Sequence, residues 1–364
     1  MEPEYVTYLN SPHARVKCVE CHVGEGADWY LKSKMSGLYQ VYAVAFDKFP
    51  RPILTPVKNL RPARETCEKC HWPQKFYATK IRSQVGYLAD SSNTEWHISL
   101  LMKIGPKNSA FGLKEGIHWH INKDIKIEYV ATTDDREAIP WVRYTDLKSG
   151  EFTIFQDSNA VLDQKALDTL EIRTMDCIDC HNRPSHSYKS SPVYVNKLML
   201  LGNVSPEIPF IKKAAMESLK NPFSTLELAM SSIQDTILSF YKNNYPEIFE
   251  QYKSQIKTSI ESIKAEYKLN NFPFMKASSS NYANHIGHLE TNGCFRCHSD
   301  THISSKGEKI SKDCNLCHTI IGQGPGKNIT YVPENQTLEF VHPVNIDDAW
   351  KEYFCSECHN VLYP

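Results

Sequence analysis

Residues 175–186 read Met-Asp-Cys-Ile-Asp-Cys-His-Asn-Arg-Pro-Ser-His. Cys177, Cys180 and His181 within it form Cys-x-x-Cys-His, the signal for c-type haem attachment. The two thiols at this spacing add to the two vinyl groups of haem. The adjacent imidazole then lies under the ring as the proximal iron ligand. The same pattern recurs five times: at Cys18, Cys21 and His22; at Cys67, Cys70 and His71; at Cys294, Cys297 and His298; at Cys314, Cys317 and His318; and at Cys355, Cys358 and His359. Together the motifs use all 12 cysteines of the 364-residue chain. Random placement of the same cysteines and histidines would give about 0.02 such motifs. The reading is therefore six covalently attached haems c.

Competing uses of paired cysteines explain less. A Cys-x-x-Cys disulfide closes a very small loop and does not call for a following His. Two Cys pairs can build a tetrahedral zinc site, but zinc needs no His directly after each second Cys. Thioredoxin-like redox chemistry needs a βαβ pattern, which is not visible here.

Nine histidines remain after the six proximal ones: His13, His97, His118, His120, His186, His285, His288, His302 and His342. Most cluster around the motifs, as distal ligands to neighbouring haems would. His13, His186, His302 and His342 are read as ligands. His118 and His120 lie at i and i+2, on one side of a strand. His285 and His288, at i and i+3, share a helical face. One ligand from each close pair brings the expected total to six. His97, in Glu-Trp-His-Ile-Ser, reads as a hydrogen-bonded strand residue. Two imidazoles saturate an iron, and a saturated haem carries electrons rather than binding substrate. No Cys-x-x-Cys-Lys variant, which marks the catalytic haem of cytochrome c nitrite reductases, is present. The chain thus reads as an electron relay with no catalytic residue of its own. The alternative is a multihaem reductase with one open haem.

Composition agrees. The net charge is −1, from 41 basic and 42 acidic residues, against the basic excess of nucleic-acid-binding domains. No nucleic-acid partner is expected. The longest wholly apolar run is Val41 to Phe46, too short for a spanning helix. No signal-peptide h-region follows Met1.

The expected fold class is α+β: haem-packed helical or irregular segments, an inserted small antiparallel sheet and a helical connector. Residues 1–75 form an N-terminal dihaem segment, 76–160 a β-rich insertion, 161–190 the third haem segment, 191–280 a helical connector and 281–364 a C-terminal trihaem segment. In the insertion, Tyr77–Leu88, Trp96–Ile104, Gly116–Ile121, Ile125–Thr132, Trp141–Asp146 and Glu151–Gln156 carry β-branched and aromatic residues between turn signals. In the connector, Ile211–Asn221, Ser224–Asn244 and Pro246–Leu269 follow helical spacing, and Pro246 suits a first turn. The last segment has too little apolar side chain for a core of its own. Little regular structure is expected there, with haem and axial bonds holding it together.

The first half resembles the NapC/NirT family of multihaem cytochromes. Ser-Pro-His-Ala-Arg-Val-Lys-Cys-Val-Glu-Cys-His (11–22) looks like the family's second haem segment. Arg-Glu-Thr-Cys-Glu-Lys-Cys-His (64–71) looks like the third, and residues 175–186 like the fourth. The likeness covers roughly residues 1–190, with 76–160 as an insertion. It implies that His13 and His186 are distal ligands. It also implies a membrane helix and a first haem motif ahead of Met1, absent from this chain. On that reading the protein is periplasmic and held at the inner membrane by the missing N-terminal helix. Its partners would be a quinol such as menaquinol and redox proteins. Family members oxidise quinol beside Lys and Asp side chains after the second motif. Lys32 and Lys34 are the candidates here, and the Asp is replaced near Met35 and Ser36. The C-terminal part resembles extensions in larger multihaem relatives.

Overall fold

The computed structural model describes residues 2–23, 26–55, 62–107 and 115–359. Nine strands lie among them: β1 (Thr79–Tyr87), β2 (Glu95–Lys103), β3 (Ile125–Val130), β4 (Trp141–Asp146), β5 (Phe152–Asp157), β6 (Ile172–Thr174), β7 (His302–Ser304), β8 (His318–Pro325) and β9 (Thr330–Tyr331). They form two antiparallel sheets rather than one. The first has the order β1-β2-β8-β9 and the second β6-β3-β4-β5-β7.

Neither sheet is confined to residues 76–160. Strand β2 pairs with β8 from Trp96↔Pro325 to Met102↔His318. Strand β5 pairs with β7 through Phe155↔Ser304 and Asp157↔His302. The C-terminal segment therefore has more regular structure than its composition suggests, because it completes sheets begun far upstream. Along β3, Ile125, Ile127 and Tyr129 are buried. Glu128 is also buried, and it is paired with Lys126 and Arg143. Gly116–Ile121 is not a strand. Gly116 takes a φ of 84° and opens a 3-10 turn over Ile117–Ile121.

Six helices have eight or more residues: α1 (Glu2–Leu9), α2 (Ala27–Ala45), α3 (Ser191–Leu200), α4 (Ile211–Ser218), α5 (Leu226–Asn244) and α6 (Pro246–Asn270). The expected connector helices are present. Thr225 caps α5 by accepting from the Leu228 amide at 3.2 Å. Ala229, Ile233, Ile237 and Tyr241, four residues apart, are fully buried against Ile256, Ile260, Ile263 and Tyr267 of α6. This is the largest apolar core of the described chain, and it contains no haem motif. The β1–β2 hairpin fastens it. Asn93 donates to Pro206 O and Ile208 O at 2.9 and 2.8 Å, and accepts from the Lys212 amide at 3.0 Å.

Among the described residues no helix is long and apolar enough to cross a membrane. Helix α2 buries only Ala43.

Candidate haem centres

Each motif is one tight turn. In three of them the His amide donates to the carbonyl of the first Cys: His71 to Cys67 (2.8 Å), His181 to Cys177 (2.8 Å) and His298 to Cys294 (3.0 Å). That bond needs three residues between its partners, which explains the invariant spacing. It places both thiols and the imidazole on one side of the turn. The third motif is also capped, since Asp176 and Asp179 form a reciprocal capping box. Asp176 accepts from the Ala63 amide too, at 3.1 Å, tying this motif to the turn that carries the second.

No two of the 12 cysteines pair as a disulfide. Their surroundings differ. Cys18, Cys21, Cys70, Cys314 and Cys358 are exposed, and the other seven are half-buried. The exposed ones sit on short turns outside the apolar core. Cys358 is the plainest case. Read as the second attachment point of the sixth haem, it lies exposed in the last short helix, Cys355–His359. Its partner in the motif, Cys355, lies near Cys314 of the fifth motif.

The six motif histidines each face one other imidazole. The pairs are His22–His186, His71–His13, His181–His118, His298–His120, His318–His288 and His359–His342, with ring centroids 6.2, 5.9, 6.4, 5.8, 6.1 and 6.1 Å apart. A metal–imidazole bond of about 2 Å on each side, plus the ring half-widths, spans about 6 Å. Each pair thus has room for one metal atom between its nitrogens.

In five of the six histidines that face a motif histidine, one ring nitrogen meets a main-chain carbonyl. A metal-bound imidazole donates its other N–H to a carbonyl or carboxylate, which fixes its tautomer. His13 Nδ1 lies 3.1 Å from Pro184 O, His118 Nδ1 3.0 Å from Ile104 O and His120 Nδ1 2.8 Å from Ile117 O. His186 Nδ1 lies 2.9 Å from Glu4 O, and His342 Nδ1 2.7 Å from Val344 O. In each case Nε2 is left for an iron. Burial keeps His22, His118, His120, His181, His186, His288, His298 and His359 below the ordinary histidine pKa. His318 falls to about 4 through burial, His288 and Lys103. The neutral imidazole is the form that binds metal.

Three histidines meet no motif histidine in this way. His302, on β7, has Nε2 2.7 Å from Ile139 O and Nδ1 2.9 Å from Ser299 Oγ. His285 has Nδ1 3.1 Å from Asp179 O, with Nε2 3.0 Å from Asp135 O and 3.1 Å from Glu137 Oε1. Both nitrogens of each ring are engaged. His97, on β2, pairs with Glu95. The sequence reading placed His302 among the ligands and kept one of His118 and His120. The structure instead sets both His118 and His120 against motif histidines. The reason is the 3-10 turn: its side chains splay in different directions, whereas a strand would have aimed both rings one way.

The motifs follow one another in space in chain order. Cys21 lies within electrostatic reach of Cys67 and Cys70. The Cys67 and Cys177 side chains adjoin. Cys180 is within reach of Cys294 and Cys297. Cys294 adjoins Cys317, and Cys355 is within reach of Cys314. Among the described residues no group of three or more His, Cys, Asp or Glu is arranged to hold a metal ion, so the zinc reading finds no site there.

Over 362 residues, 99% of its length, the chain is 45% identical to the cytochrome c-type protein ImcH of Geobacter sulfurreducens, covering 69% of that protein. The chain belongs to this family of c-type cytochromes. It holds haem through its cysteines and has a haem electron-transfer role. The relative's description says nothing of the NapC/NirT family. No family model matches the chain, and no solved structure matches it.

Two groups beside the haem motifs escaped the sequence reading. Asp179 and Arg296 occupy the x positions of the third and fourth motifs, and both are buried. Asp179 accepts from Tyr129 Oη (2.7 Å), Arg173 (2.6 Å) and Arg136 (3.1 Å). A charged residue between two haem cysteines was the only local signal. Its partners are remote in sequence. Lys32 and Lys34 lie exposed on α2, over the rings of Trp29 (4.5 Å) and Tyr30 (5.0 Å).

Proposed function

We propose that this protein is a linear relay of six bis-histidine haems, ordered as their motifs are in the sequence. The observation that carries it is the six imidazole pairs, one for each motif histidine, at 5.8 to 6.4 Å. His186, His13, His118, His120, His288 and His342 are the distal ligands in motif order. The haem iron supplies the one-electron chemistry. The paired imidazoles would fill both axial positions of each iron, and the chain holds successive cysteine pairs side by side. No open coordination position is left for a substrate, which favours a carrier over a reductase.

The motif order sets a direction of reading, with the first motif at one end and the sixth, bearing the exposed Cys358, at the other. The resemblance to NapC/NirT cytochromes would add a periplasmic location, an N-terminal membrane anchor, a quinol donor at the first end and redox partner proteins at the other. These rest on the resemblance of residues 11–22, 64–71 and 175–186.

Expression with a cytochrome c maturation system, followed by intact mass and a haem-to-protein ratio, tests the reading. Six haems with a wholly low-spin oxidised spectrum are expected. A high-spin fraction equal to one haem would instead favour the reductase.

A further inference from the structure

The third and fourth motifs are separated by 112 residues, between His181 and Cys294, yet they meet. Arg296, between the two cysteines of the fourth motif, is 9% exposed. Its Nη2 donates to Asp179 O, between the two cysteines of the third, at 2.7 Å. Its Nη1 donates to Arg136 O at 3.0 Å and its Nε to Gly293 O at 2.8 Å. All three partners are backbone carbonyls. Among the described residues no carboxylate forms an ion pair with it. Nearby, Asp179 is already shared by Arg136 and Arg173, and Glu137 pairs with His285. Arg296 is thus a buried cation held by main-chain carbonyls alone among the described residues.

We propose that Arg296 is the positioning residue that joins the two halves of the relay, and that its charge raises the reduction potentials of the third and fourth haems. This rests on the relay reading. A fixed cation favours the added electron on a nearby haem, and a low-dielectric surrounding strengthens the effect. Arg296 stands at both motifs: it lies between Cys294 and Cys297 in the chain and bonds the carbonyl between Cys177 and Cys180.

The test is a spectroelectrochemical titration of wild type, Arg296→Gln and Arg296→Lys. Haem ratio and low-spin spectrum are measured first on each. The relay reading fails if wild type itself lacks six low-spin haems, before any variant is compared. Given six, Arg296→Gln is expected to lower two of the six midpoint potentials by a roughly tenfold change in reduction equilibrium, about 59 mV for one electron. The other four stay in place. Arg296→Lys is expected to recover most of the shift, since it restores the charge but not the forked geometry. Six unchanged potentials, or an equal shift of all six, would overturn the proposal. So would loss of haem from both variants, which would make Arg296 a folding residue only.

Discussion

His118 and His120 sit two residues apart on one 3-10 turn and face different motif histidines, His181 and His298. The first pair of rings is parallel, 2° between planes, and the second nearly perpendicular, 81°. One short turn therefore serves one motif from the N-terminal group and one from the C-terminal group.

The two substitutions His118→Ala and His120→Ala should each convert one haem of the six to a high-spin state, and a different haem in each case. Electron paramagnetic resonance distinguishes them, because parallel and perpendicular axial planes split the low-spin iron levels differently. His118→Ala is expected to remove a rhombic signal and His120→Ala a signal of large anisotropy. If both variants lost the same signal, the two-haem assignment of this turn would be wrong.

His302→Asn and His285→Asn should leave all six haems low-spin. The cost is in stability. His302 satisfies Ile139 O and Ser299 from a 2% exposed position, and unpairing buried polar groups costs about 1–3 kcal/mol. Denaturant unfolding of the holoprotein, read beside its visible spectrum, checks both statements. A high-spin haem in His302→Asn would return that residue to the ligand set.

Lys212 makes the stability of the helical unit depend on pH. It is fully buried, its Nζ is 2.7 Å from Asn196 Oδ1, and burial lowers its pKa to about 7. The folded value lies below the unfolded value of about 10.4. The unfolded chain therefore binds more protons between pH 7 and 10, and stability rises with pH across that window. Below pH 7 both states are charged and the slope vanishes. Lys212→Met should flatten the slope and raise stability near neutral pH by up to a few kcal/mol. Thermal unfolding of both proteins at pH 7 and pH 9 measures the difference.

Gly293 cannot accept a side chain. It adopts a φ of 50°, and a Cβ there would lie 1.4 Å from Gly287 O. This close crossing sets the His285–His288 segment against the fourth motif. Gly293→Ala must move backbone, at a cost of more than about 3 kcal/mol. It is expected to withdraw His288 from His318. Intact mass and the low-spin spectrum should show the fourth and fifth haems affected and the first three retained.

The sequence alone determined the cofactor and its attachment, because Cys-x-x-Cys-His is a local code: one turn of chain places two thiols and an imidazole together whatever surrounds it. It also determined the connector helices, whose Ile and Tyr repeat at helical spacing over some twenty residues. His13, His186 and His342 lie near motifs in the sequence, and each faces a motif histidine in space. The tertiary structure decided the rest. Only it shows that both His118 and His120 face motif histidines, that His285 and His302 spend both ring nitrogens on backbone or side-chain partners, and that β7 and β8 complete sheets begun far upstream. The same holds for burial: six motifs of one pattern leave Cys358 exposed and Cys180 half-buried. Arg296 and Asp179 meet across 117 positions. Such contacts follow from where the whole chain can close its backbone hydrogen bonds and bury its charges, and short-range spacing carries no record of that.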